Sequence, residues 1–197
     1  MAYPTVDKPY GFRPINRIGG NPYAGSTRLV PIVSSAGLTS AAVFNGDLVE
    51  LTAAGTCQAI ASGSAAPQAL GVCLGVQYVN SSGQTVQAQF APAGSQSAFA
   101  VVADDPTVLF QVAVVSSGTT IAPLNRAAVG LNATVVLNPG SATTGNSGQA
   151  IDDTVAITAT FPIRIIDVVP ATATGADAFV EMVVKINTHS YNNTTGI

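Results

Sequence analysis

The ten residues AFVEMVVKIN, at positions 178–187, decide the fold class. They place Phe179, Glu181, Val183 and Lys185 on one side of an extended chain and Val180, Met182, Val184 and Ile186 on the other. The second set is uniformly apolar, so a strand here buries that side. The same period of two runs through TVQAQF (85–90), where Val86, Ala88 and Phe90 alternate with Gln87 and Gln89. GDLVELTAAGTCQAI (46–60) reads as a hairpin: Val49 and Leu51 alternate with Glu50, and Ala53, Ala54, Gly55 and Thr56 make the turn.

Outward from these, runs rich in Val, Ile, Phe and Thr recur between turn residues. Candidate strands lie at 28–33, 47–52, 57–60, 70–79, 85–91, 98–103, 107–115, 133–137, 154–160, 163–169 and 178–187. No stretch repeats apolar residues at helical spacing over three turns, so helix content should be low. Many short strands with frequent turns define an all-β fold, an antiparallel β-barrel or sandwich. ASGSAAPQ (61–68), the run 138–149 that begins Asn-Pro-Gly, and TATGAD (172–177) read as exposed loops. The expected organisation is an extended N-terminal arm (1–27), a β body (28–187) and a short C-terminal tail (188–197), with no internal repeat.

Composition narrows what such a body does. Hydrophobic residues make up 47% of the 197 residues and charged residues only 9%, well under the usual quarter or so. The regular Val, Ile, Leu and Phe runs argue against disorder. No window of about 18 residues is apolar enough for a membrane helix, and the start lacks a basic segment followed by an apolar run, so no secretory signal and no membrane partner are expected. A surface of Ala, Gly, Ser, Thr and Val suits packing against other subunits, where desolvating charge is costly.

The few charges are unevenly spread. Residues 1–28 hold Lys8, Arg13, Arg17 and Arg28 against Asp7, a net of +3, whereas the remainder holds three cations against nine acids, a net of −6. A basic arm on an acidic body suggests electrostatic docking onto an acidic neighbour, or simply a soluble tail. Nucleic acid is not expected as a partner, because four cations meet only about four phosphates and the body repels the rest. Pro4, Pro9, Pro14 and Pro22 restrict the free arm and lower the entropy lost on docking. Gly19 and Gly20 let it turn. Tyr10, Phe12 and Tyr23 supply anchors, and Arg13 and Arg17 can pair with carboxylates. Tyr10, Phe12, Arg13 and Arg17 are therefore expected to contact another chain more than their own β body.

Chemistry is sparse. His189 is the only histidine, too few for a two-histidine metal site, and no G-x-S-x-G elbow accompanies it. It reads as structural or solvent-exposed. Asp104-Asp105-Pro106 and Asp152-Asp153 read as turn acids; either pair could bind Ca²⁺ with loop carbonyls, but EF-hand spacing is absent. Ile18-Gly19-Gly20-Asn21 is no dinucleotide motif. Cys57 and Cys73 read as buried thiols, with a disulfide between adjacent strands a weaker alternative. No enzyme activity, cofactor or bound metal is expected.

The segments KPYGFRPINRIGGNPYAGSTRLVPI (8–32), FNGDLVEL (44–51), LGVCLGVQY (70–78), VVADDPTVLFQV (101–112) and VVKINTHSY (183–191) together resemble the capsid decoration, or cement, proteins of tailed bacteriophages. The resemblance runs from about residue 7 to residue 191. It implies a small β-barrel-rich virion protein on the outer surface of an icosahedral shell, often trimeric, that clamps neighbouring major capsid subunits. The partners it implies are the major capsid protein and further copies of the chain, as a homotrimer. A tail, neck or head-fibre component, or a carbohydrate-binding β module, are the alternatives; the lack of tryptophan counts against the last.

Overall fold

A computed structural model describes residues 8–61, 67–172 and 179–192. Its strands are β1 (Arg13–Arg17), β2 (Arg28–Pro31), β3 (Ser34–Ser35), β4 (Leu38–Thr39), β5 (Val43–Phe44), β6 (Leu48–Leu51), β7 (Cys57–Ala59), β8 (Ala69–Val79) and β9 (Thr85–Ala88). They continue as β10 (Phe90–Ala91), β11 (Gln96–Ala103), β12 (Val108–Val115), β13 (Asn132–Ala133), β14 (Val135–Val136), β15 (Ala150–Asp152), β16 (Ile163–Val168) and β17 (Glu181–Ile186). One 3-10 turn, Arg126–Ala128, is the only helical element among the described residues. The chain is all-β, with one nearly closed barrel sheet and one half-barrel sheet.

The seven-stranded sheet runs β13-β16-β17-β12-β15-β14, with β1 also paired to β12. Its two end strands, β13 and β14, are separated by Thr134 alone, which is what brings the sheet round toward closure. All its pairings are antiparallel except β12 with β15, which run parallel through Val114 opposite Ile151 and Val115 opposite Asp152. The alternation read in β17 holds: Val180, Met182, Val184 and Ile186 point into the barrel core beside Phe110, Val112, Ile163 and Ile165.

The eight-stranded sheet runs β3-β4-β11-β8-β6-β7, with β2 on β11 and β9 on β8. The β6–β7 hairpin turns where expected, with Gly55 N–H donating to Thr52 O at 2.9 Å. This sheet separates two cores, which explains why the start of β6 (Leu48, Val49) and the first half of β8 are apolar on both faces. Leu48, Ala69 and Val72 face the barrel core, while Val49, Leu70, Cys73 and Val76 face a second core with Val30, Cys57, Ala100 and Val102. Gly71 is required in β8, because a Cβ there would lie 2.1 Å from the Ala103 carbonyl oxygen. Cys57 and Cys73 are buried free thiols.

Four expectations change. The run 154–160 forms no strand and makes a single bridge, Ala156 to Asn132, whereas β15 lies just before it. The second half of the 138–149 run is buried: Ser147 N–H donates to Asn45 O at 2.8 Å, and Gln149 Oε1 accepts from Leu48 N–H at 2.8 Å. Small residues allow this approach, since a Cβ on Gly148 would meet Pro139 O at 2.5 Å. Residues 188–192 lie against the body, with Ala69 N–H donating to Thr188 O at 3.0 Å and Ser190 N–H to Ala69 O at 2.9 Å. Finally, residues 13–17 belong to a sheet, antiparallel to β12, in place of an arm outside both.

Candidate partner-binding surfaces

The N-terminal segment enters the body through a gap that only glycine fits. Gly11 sits at φ +82°, and a Cβ there would come within 2.5 Å of Gly46 O and Ser147 Cβ. Backbone bonds hold it on both sides: Gly11 N–H to Gln149 O at 3.1 Å and Phe12 N–H to Gly46 O at 2.9 Å. The next side chain, Phe12, is 0% exposed and lies in the barrel core. The Tyr10 hydroxyl donates to Glu181 Oε1, and Gln111 Nε2 donates to Glu181 Oε2 at 2.7 Å. Burial, then the Glu181 carboxylate, pushes the Tyr10 hydroxyl far above its ordinary value. Phe12 and Tyr10 are thus taken up by the body itself, which differs from the expectation that they meet another chain first.

Arg17 and Arg28 are likewise engaged by a turn of their own chain, which for Arg17 differs from the expectation that it meets another chain first. Arg17 pairs with Asp105 at 2.8 Å and Arg28 with Asp104 at 2.9 Å, so adjacent aspartates hold both ends of the 18–27 excursion. Asp105 is held below the usual carboxylate range by hydrogen bonds from the Thr107 hydroxyl and N–H, with Arg17 adding to them. Between the two arginines the chain reverses at Gly19 and Gly20, both at positive φ, and Asn16 bridges back to Pro22. Tyr23 is half-buried against the barrel core, and its hydroxyl donates to Ser26 O at 3.0 Å.

The C-terminal segment closes the same corner. Arg28 donates to the Tyr191 hydroxyl and lies 5.3 Å from that ring's centre. His189 is buried, correcting any solvent-exposed reading; its Nδ1 accepts from Tyr191 N–H at 3.1 Å, and its Nε2 has no partner among the described residues. Burial holds its pKa below the ordinary value, against the pull of Asp104 and Asp105.

Of the five arm residues singled out from sequence, Arg13 is the one left outward. Its guanidinium stacks 4.0 Å from the Tyr10 ring centre, on the outer face of the barrel sheet. A second outward surface, which sequence reading missed, is the side of β2, β11, β8 and β9 turned away from the second core. Phe99 lies opposite Pro31 and Gln77, Gln77 lies opposite Gln87, and Val101 lies opposite Leu29 and Gly75. Opposed residues share a face, so this face carries apolar and amide groups and no charge. Leu29 is 55% exposed and Phe99 38%. Among the described residues, no group of three His, Cys, Asp or Glu side chains is placed to hold a metal ion. Compared with known proteins, the chain matches no protein-family model, no curated protein and no solved structure, so its function is argued from its own surfaces.

Proposed function

We propose that this protein is a structural component of a tailed-phage virion, one that decorates the outer capsid surface and stabilises the shell by bridging neighbouring major capsid subunits. The observation that supports this best is the uncharged face built from Leu29, Pro31, Phe99, Val101, Gln77 and Gln87 on four hydrogen-bonded strands. A contiguous, partly apolar face marks an interaction surface, and its lack of charge keeps the desolvation cost of docking low. Rigid strands present it, so little conformational entropy is lost on binding. Trimerisation on the shell belongs to the same proposal, and Arg13 and Tyr23 supply further contacts at the edge of the N-terminal segment.

The test mixes purified protein with undecorated phage capsids and measures occupancy and capsid melting. Wild type should bind at many copies per shell and raise the melting temperature. The double variant Leu29→Glu/Phe99→Glu, altered only at exposed positions, should lose both effects while melting on its own like wild type. Decoration by the variant at wild-type occupancy refutes this docking face. Wild-type protein found only at tails or necks refutes decoration altogether.

A further inference from the structure

Three of the cations are neutralised locally: Arg17 by Asp105, Arg28 by Asp104, and Arg126 by Asp167 at 3.0 Å. Arg13, Arg164 and Lys185 make no ion pair among the described residues, and the strand register gathers them on one face. Arg13 lies opposite Gln111, Gln111 opposite Val183, and Lys185 opposite Arg164. Directly opposed residues, and residues two apart on one strand, point to the same side. The opposite side of these strands is the barrel core, so the three cations stand on the outer face of β1, β17 and β16, spread over about 15 Å. Leu109 and Val183, half-buried, supply apolar ground between them.

The acids on this face are already engaged. Glu181 is buried and accepts from Tyr10 and Gln111, and Asp167 pairs with Arg126. Two of the three cations are also held in place: Arg13 by stacking on Tyr10, and Arg164 by donating from Nε to Asn132 Oδ1. The chain's formal charge is −3, so a cationic face here does not follow from overall basicity.

We infer that this outer face of the barrel sheet docks an acidic protein surface. Arg13 and Arg164 can each take a carboxylate in a bidentate pair, Lys185 a third, and the apolar ground between them takes apolar side chains. A nucleic acid fits less well, because three cations interleaved with apolar residues neutralise only about three phosphates and the rest of the chain is acidic. This surface is separate from the uncharged face on β2, β11, β8 and β9, and the inference holds whatever that face binds.

The probe is poly-L-glutamate, with duplex DNA and poly-L-lysine in parallel arms, measured by fluorescence anisotropy at low and physiological salt. Wild type should bind poly-L-glutamate more tightly than either comparison, and binding should weaken as salt rises. Arg13→Gln/Arg164→Gln/Lys185→Gln should weaken it about tenfold, in line with three surface ion pairs. Arg13→Gln/Lys185→Gln, which leaves the Arg164 bond to Asn132 intact, should show a smaller loss in the same direction. Leu29→Glu/Phe99→Glu should leave it unchanged, which separates this surface from the proposed capsid face. Equal binding by the cation variants and wild type, no wild-type binding at low salt, or tighter binding to DNA overturns the inference.

Discussion

Replacing Phe12 with alanine distinguishes an N-terminal segment that is part of the fold from one that merely lies on it. Phe12 is 0% exposed and packs among buried residues from both sheets. Truncating a fully buried phenylalanine costs about 3–5 kcal/mol, the transfer term plus the cavity left behind. For a chain of this size each kcal/mol moves the melting temperature by about 2–4 °C, so Phe12→Ala should lower it by about 6–20 °C. The neighbouring Arg13, which points outward from the same strand, provides the contrast. Arg13→Ala should stay within about 0.5 kcal/mol of wild type, as surface changes usually do. Calorimetry reads both, and urea titration checks that the transition remains a single step. A Phe12→Ala melting point within about 2 °C of wild type refutes the placement, because a side chain of that size cannot leave a packed core at so little cost.

Burial pushes both the Cys57 and Cys73 thiols up to about 12. The folded protein should therefore resist iodoacetamide at pH 8 and take up two equivalents only once unfolded, as mass spectrometry would count; rapid alkylation of the native protein contradicts the buried placement. His189, held below its ordinary pKa by burial, sets a second pH dependence. On acidification the unfolded chain takes the proton first, so stability should fall as pH drops below about 6.5 and continue falling until the folded imidazole titrates. His189→Asn keeps an acceptor for Tyr191 N–H and removes the titration, so its urea midpoint should change less than wild type's between about pH 7 and pH 5.5; equal slopes count against the assignment.

The strands of the body were legible because burial on one face imposes a period of two, and β17 and the β6–β7 hairpin show it plainly. The run 154–160 has the same β-branched composition, yet composition does not say whether a partner strand lies within reach, and here only Ala156 finds one. The N-terminal segment was misread for a related reason. Its prolines and glycines mark it as irregular, but Phe12 is held by residues such as Leu48 and Phe110, far along the chain. Its basic character pointed to a partner's carboxylates, whereas Arg17 and Arg28 pair with acids of the same chain. That the carboxylates are Asp104 and Asp105 depends on a register between β1 and β12 that local pattern does not encode. The uncharged outer face was not legible because it is assembled from four strands, each contributing only one or two of its residues.

Phe12 and Arg13 show how a short segment joins fold to surface. They are adjacent, so the pleat sends one side chain inward and the other outward. Phe12 fixes the start of β1 in the barrel core, and the pairing of β1 with β12 then holds Arg13 in register with Gln111 and Val183 on the outer face. A partner that engages Arg13 therefore binds a position that exists only while Phe12 stays packed. Whatever binds the native form and not the unfolded one adds its binding free energy to stability. Docking on the barrel's outer face and retention of the N-terminal strand are consequently one linked equilibrium, and loosening Phe12 should weaken binding at Arg13 even though Phe12 itself touches no partner.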